Sequence, residues 1–180
     1  MTERPTVPAM IEARLATVDD IPAMVDILVA VAEERMWIGT EPPVDRERRA
    51  HLFEEDIAGG GAVFVAVADG AVVGHLGVHG QGGARDLGMA VADGWRSKGV
   101  GSALMSAAVA WARAQPDVYK LCLEVWPHNG GAIALYRRYG FEVEGRRRRQ
   151  YRRRSGELWD SVAMGLVLDE TSPGSPYEDA

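Results

Sequence analysis

Cysteine is almost missing from this chain: Cys122 is the only one in 180 residues. No disulfide framework can form within it, so a reducing, cytoplasmic setting is the default expectation. No window approaches the length of an apolar membrane span, and Met1–Met10 has no apolar core of signal-peptide size. Positive charge does not prevail either. The formal net charge is −6, which argues against nucleic-acid binding by the whole domain. Lysine is nearly absent, with Lys98 and Lys120 the only two. The four histidines form no metal pattern. His75 and His79 lie four apart on an expected strand, roughly 13 Å by strand rise, too far to share one ion. No metal is expected.

What is present points to one ordinary globular domain. The hydrophobic share is 47%, well above that of a disordered chain. The expected division is a flexible arm over 1–10, a domain over 11–168 and an acidic, flexible tail over 169–180. Ile11–Leu15 reads as a strand. Asp19 or Asp20 is placed to cap a helix carrying Ile21, Met24, Val25, Leu28 and Val31 at helical spacing. A loop with two prolines follows over Trp37–Val44. A second helix is expected from Asp45 to Ile57, stopped by Gly59-Gly60-Gly61. Ala62–Ala68 and Ala71–Val78 are apolar runs separated by Asp69-Gly70, a strong hairpin signal. Ala84–Val91 reads as a third strand. Then the period changes: Val100, Leu104, Ala107, Ala108 and Trp111 share one helical face, ended by Pro116. Tyr119–Trp126 is a strand, Asn129 caps a helix that stops at Gly140, and Phe141–Tyr151 and Leu158–Leu168 are strands around Ser155-Gly156. The order β-α-α-β-β-β-α-β-α-β-β predicts an α/β fold of the α+β type. Its central sheet is mixed and mostly antiparallel, with helices on both faces.

One segment carries chemistry. From Val91 to Ser102 a strand end passes through Gly94, Arg96, Ser97, Lys98 and Gly99 into a helix that starts at Val100 and Gly101. Glycines let the backbone approach a ligand closely. The first helical N–H groups lack internal partners and carry partial positive charge. Together they suit a phosphate or pyrophosphate, with Arg96 and Lys98 adding charge at the mouth. The turn is not a P-loop, since no Lys-Ser or Lys-Thr follows the second glycine. It is not a full dinucleotide fingerprint, since Leu104 holds the place of the third glycine, and only one β-α-β unit is visible.

Arg96-x-x-Gly99-x-Gly101 resembles the Q/R-x-x-G-x-G/A motif of the GNAT N-acetyltransferase superfamily. A second signature of that family appears in order: Leu121-Cys122-Leu123-Glu124-Val125, then Asn129, then Ala134-Leu135-Tyr136, then Gly140-Phe141. The motifs are closest to those of bacterial acetyltransferases acting on protein N-termini or amino acids, and the likeness runs over about residues 11–168. It implies acetyl-coenzyme A as donor and direct attack by an amine. Backbone amides from Ser97 through Lys98, Gly99, Val100 and Gly101 to Ser102 would hold the pyrophosphate. The strand around Met89 and Val91 would pair with the pantetheine arm, which requires the sheet to splay open beside Tyr119–Trp126. A backbone N–H there would polarise the thioester carbonyl, and Asn129 would contact or shape the channel.

Transfer to an amine needs a neutral nucleophile, a stabilised oxyanion and a proton for the departing thiolate. The resemblance makes Tyr136 the candidate acid, because in similar acetyltransferases this tyrosine sits beside the cofactor sulfur; it lies seven residues after Asn129, two helical turns along the same side. The alternative is a core aromatic. Glu124 is the candidate base, because strand alternation sets Cys122, Glu124 and Trp126 opposite Leu121, Leu123 and Val125, and a mid-sheet carboxylate needs a reason. The alternative is a carboxylate paired with an arginine from a neighbouring strand, with Glu54, Glu55, Asp160 or a water relay as the substitute base. Trp37 and Trp126 are candidate acceptor contacts, Trp37 lying in the loop that walls the acceptor pocket in similar proteins. Seven arginines fall between Arg146 and Arg154. A charged, solvated edge hairpin is the first reading of them, an acidic ligand the second, and RNA the last. The expected activity is acetyl transfer from acetyl-coenzyme A to a primary amine on a protein N-terminus, amino acid, polyamine or drug-like molecule. The rival readings are a non-catalytic coenzyme-A-binding module on the same fold and an unrelated nucleotide-cofactor protein. The acceptor is a small molecule or peptide, with no role for a membrane; a homodimer is compatible with the family.

Overall fold

In the computed structural model, residues 10–59 and 62–169 are described. The arm 1–10 and the acidic tail 169–180 fall outside them, apart from Met10 and Asp169, as do Gly60 and Gly61 of the helix stop. The described residues form β1 (Glu12–Leu15), α1 (Ile21–Glu33), α2 (Arg46–Ala58), β2 (Ala62–Ala68), β3 (Ala71–His79), β4 (Ala84–Val91), α3 (Val100–Ala114), β5 (Lys120–Val125), α4 (Gly130–Arg138), β6 (Glu142–Arg152) and β7 (Leu158–Val167). This is the expected order, with one added 3-10 turn at Val18–Asp20 ahead of α1.

The strands make one seven-stranded sheet in the order β1-β2-β3-β4-β5-β7-β6. All neighbours are antiparallel except β4 and β5. Asp69 and Gly70 close the β2–β3 hairpin with positive φ values of 51° and 79°, the backbone that a two-residue hairpin of this twist demands. β2 is buried on both faces, so its sequence is a continuous apolar run with no alternation. On one face Ile21, Met24, Val25, Leu28 and Phe53 of α1 and α2 cover Val63 and Val65. On the other face Val100, Leu104 and Met105 of α3 join Leu135 and Tyr136 of α4 over Phe64, Leu76, Leu121 and Met164. Gly74 permits the close approach of α3: a Cβ there would sit 2.9 Å from Val100 Cγ1 and 3.1 Å from the Ala90 carbonyl.

Asp20 stands at the start of α1, but its carboxylate turns away from that helix. It accepts both guanidinium nitrogens of Arg14, at 2.7 and 2.8 Å, and the Thr17 N–H at 2.8 Å. These bonds, led by the one from Arg14, hold its carboxyl down at about 2. Asp45 is the side-chain cap of α2, accepting from the Arg48 N–H at 3.0 Å. β6 is an exposed edge strand with bulges between Val143 and Gly145 and between Arg147 and Tyr151. Bulges and arginines together blunt such an edge against pairing with another chain.

Candidate functional site

β4 and β5 pair only where Ala84, Arg85 and Asp86 meet Lys120, Leu121 and Cys122. Beyond that point β4 stays on β3, through Met89 opposite Leu76 and Val91 opposite Gly74. β5 stays on β7, through Glu124 opposite Ala163 and Val125 opposite Val162. The sheet therefore opens between Leu87–Val91 and Leu123–Val125 into a cleft of about 880 Å³. Along the β4 wall, alternate backbone N–H and C=O groups face the gap instead of a strand. An extended polyamide arm can add there as a strand would.

The glycine-rich turn closes one end of the cleft. Gly94, Ser97 and Gly99 have positive φ values of 80°, 59° and 93°, and Gly99 is the start residue of α3 with no side-chain cap. The Ala103 N–H reaches the Gly99 carbonyl at 2.9 Å. The N–H groups of Val100, Gly101 and Ser102 precede that first bond and have no acceptor within the helix. Gly99, Gly101, Ser97 and Ser102 line the cleft, so the arrangement fits the pyrophosphate the sequence implies. The side chains behave differently. Val100 is 1% exposed and belongs to the core, leaving only its backbone amide for a ligand. Lys98 lies over the Trp95 ring at 5.3 Å. Arg96 lines the cleft too, but its guanidinium grips the Glu34 carboxylate with two nitrogens and lies 5.4 Å over the Trp37 ring. Part of the Arg96 charge at the mouth is thus balanced by Glu34.

Met89, Val91, Glu124, Trp126, Asn129, Tyr136 and Trp37 all line the same cleft. Asn129 Oδ1 accepts the Ala132 N–H at 3.2 Å and starts α4. Tyr136 is 8% exposed, with its ring 6.0 Å from that of Phe141. Burial pushes its phenol up to about 12. Glu124 is held by three donors. Ser161 Oγ donates to Oε2 at 2.6 Å, Tyr151 donates to the same oxygen at 3.0 Å, and Arg147 ion-pairs with Oε1. An arginine does pair with Glu124, but it comes from β6, one strand beyond the β7 neighbour of β5, and Glu124 still lines the cleft. Trp126 is 5% exposed and boxed by Tyr151 and Trp159, with ring centroids at 5.1 and 5.3 Å.

Four site residues are not singled out by the sequence: His128, Tyr151, Ser161 and Arg153. His128 Nε2 donates to the Met36 carbonyl at 2.8 Å. Arg153, lost among its neighbours in the arginine run, is 4% exposed. Its guanidinium lies 4.4 Å over Trp159 and bonds the Arg35 carbonyl at 3.3 Å and the Ile38 carbonyl at 3.4 Å. Glu41 balances its charge at 3.3 Å. The segment 34–41 is thus fastened to the cleft by Arg96, His128 and Arg153, from three separate parts of the chain. A hint for Ser161 and Tyr151 lay in strand alternation; nothing local marked Arg153.

The histidines set aside as metal ligands have other partners. His75 is buried against Phe53, with ring centroids 5.2 Å apart, and His79 pairs with Asp56 at 3.3 Å. Among the described residues no three His, Cys, Asp or Glu side chains converge in a metal-binding group, and no helix is long and apolar enough to cross a membrane.

Residues 27–141 match the model of the acetyltransferase (GNAT) family. The chain is 36% identical over 124 residues to the L-amino acid N-acetyltransferase AaaT of Escherichia coli, covering 65% of this chain and 76% of that protein. It is 31% identical over 165 residues to the L-methionine sulfoximine/L-methionine sulfone acetyltransferase of Pseudomonas aeruginosa, covering 88% of this chain and 95% of that protein. The fold matches the crystal structure of a GNAT superfamily phosphinothricin acetyltransferase from Sinorhizobium meliloti in complex with acetyl-coenzyme A. The TM-score is 0.80 at 22% identity, over 96% of this chain and 95% of that one.

Proposed function

The chain belongs to the acetyltransferase (GNAT) family and is an N-acetyltransferase drawing on acetyl-coenzyme A, and we propose that its acceptor is the amino group of a free α-amino acid. The observation that carries this reading is the carboxylate of Glu124, which lines the cleft and is ion-paired with Arg147. A carboxylate and a guanidinium side by side complement the ammonium and carboxylate of a zwitterion. The apolar walls beside them, Trp37, Trp126 and Tyr151, suit an uncharged side chain. Two relatives whose names specify amino acids or amino-acid analogues support the same class.

Acetyl-coenzyme A supplies an activated thioester. The N–H groups of Val100, Gly101 and Ser102, with the turn from Ser97 to Gly99, would hold its pyrophosphate, and the exposed edge of Leu87–Val91 would seat its pantetheine amides. A backbone N–H near Met89–Val91 would stabilise negative charge on the carbonyl oxygen. Glu124, fixed by Ser161 and Tyr151, holds the acceptor's ammonium and takes its proton, so that the amine attacks neutral. Tyr136 would keep its own proton until the thiolate departs, pass it to the sulfur, and regain one from the nitrogen as that nitrogen becomes the amide. Asn129 shapes the start of α4, and with it the position of Tyr136 two turns on.

Thiol release measured over a panel of amines tests the acceptor class. Free L-amino acids are expected to exceed their own amides by about tenfold or more in kcat/KM, because an amide cannot pair with Arg147. Equal rates on acids and amides, or a preference for polyamines or peptides, would remove the zwitterion reading.

A further inference from the structure

We infer that Arg96, one of the charged residues of the glycine-rich turn, positions the acceptor loop and does not bind the donor's pyrophosphate. Its guanidinium is committed on three sides. Two nitrogens go to Glu34, Nε donates to the Val91 carbonyl at 3.3 Å, and the flat face lies on Trp37. Glu34 is equally committed, because its Oε2 also accepts the Trp37 indole N–H at 2.6 Å. Arg96 thereby joins the end of β4, the glycine turn and the segment after α1 in one knot. The charged pair holds together chemically as well: the guanidinium beside it keeps the Glu34 carboxyl below the usual carboxylate range.

Trp37 is the side chain this knot orients, and Trp37 lines the same cleft as Glu124. Releasing Arg96 does not free the whole segment. Met36 stays tied to His128, and Arg35, Ile38 and Glu41 stay tied to Arg153. The loss is therefore confined to the angle of one indole on the acceptor side. The pyrophosphate is left to backbone N–H groups, which no side-chain change at position 96 removes. This inference rests on the reading that segment 34–41 walls the acceptor site.

The test uses three variants of the full chain: Arg96→Gln, Glu34→Gln and the double variant. Acetyl-coenzyme A binding is measured by calorimetry, and kinetics by varying the best amine of the wild-type panel at saturating donor. Each single variant is expected to raise the acceptor KM about tenfold or more, since small misplacements of positioning groups are costly. The acetyl-coenzyme A Kd is expected to stay within about threefold of wild type. The double variant should be no worse than the worse single one, because both residues act through one contact. A tenfold or greater rise in the acetyl-coenzyme A Kd for Arg96→Gln, absent in Glu34→Gln, would overturn the inference. So would an unchanged acceptor KM in both single variants. Because the amine is chosen from the wild-type panel, an error over the acceptor class shows there first and leaves this comparison intact.

Discussion

Tyr136→Phe is expected to lower kcat about 100-fold, the usual worth of a positioned proton donor. The substitution removes one oxygen and keeps the ring, which is packed with Leu135 and Phe141 in the core. Folding and the shape of the cleft should therefore survive. Burial pushes the phenol up to about 12, so it holds its proton throughout the neutral range and is fit to act as an acid. A base at this position would need the opposite shift. The donor's Kd should change by less than about twofold, because the interaction is used only as the thiolate leaves. Initial rates with saturating acceptor, beside a calorimetric Kd, separate the two quantities. An unchanged kcat would exclude Tyr136 from the chemistry and leave it as a core aromatic.

A second large effect concerns stability and acid. His75 is buried against Phe53 beneath α2, with Nε2 unpartnered, and its imidazole is pushed down to about 4. Burial is the main cause, helped by the positive charge of Arg49 and the neighbouring His79. In the unfolded chain a histidine titrates near 6.5. Above that value both states are neutral and His75 contributes nothing to the pH dependence. Between about 6.5 and 4 the unfolded chain binds a proton that the folded chain refuses, so stability falls as pH falls. The loss approaches roughly 3 kcal/mol at pH 4 and levels off below it. Asp20 acts in a lower window: its carboxyl is depressed to about 2, so its contribution is lost only as pH falls through about 4 to 2. Denaturant unfolding at pH 7 and pH 4.5 distinguishes them. Wild type should lose about 2–3 kcal/mol between these values, and His75→Leu markedly less. Equal losses in both proteins would assign the acid sensitivity elsewhere.

The parts of the fold legible in the sequence are those fixed by short-range chemistry. Asp69-Gly70 forms its hairpin because two adjacent residues adopt positive φ. Asn129 starts α4, and Gly140, at φ 89°, follows its end. The glycine turn is legible as an anion site for the same reason. The opening of the sheet is not, from spacing alone. It exists because β5 is held by β7, a strand nearly forty residues further on, while β4 is held by β3. Only the family likeness predicted it. The partners of the charged residues were hidden in the same way. Arg96 meets Glu34 across 62 positions, and Arg153 meets Arg35 across 118. Seven arginines in one run look alike on paper, yet Arg153 is 4% exposed beneath two tryptophans and Arg147 reaches Glu124. Burial, which separates a solvated charge from a structural one, depends on elements the run itself does not contain.

The central claim is that the gap between β4 and β5, with the turn into α3, seats acetyl-coenzyme A. Amide hydrogen exchange with and without the donor addresses it most directly. Saturating acetyl-coenzyme A is expected to slow exchange at Leu87–Val91 and at Ser97–Ser102, and to leave α2 and the β2–β3 hairpin unchanged; NAD at the same concentration should protect neither segment. Exchange at both segments unaltered by acetyl-coenzyme A, or slowed equally by NAD, would contradict the account.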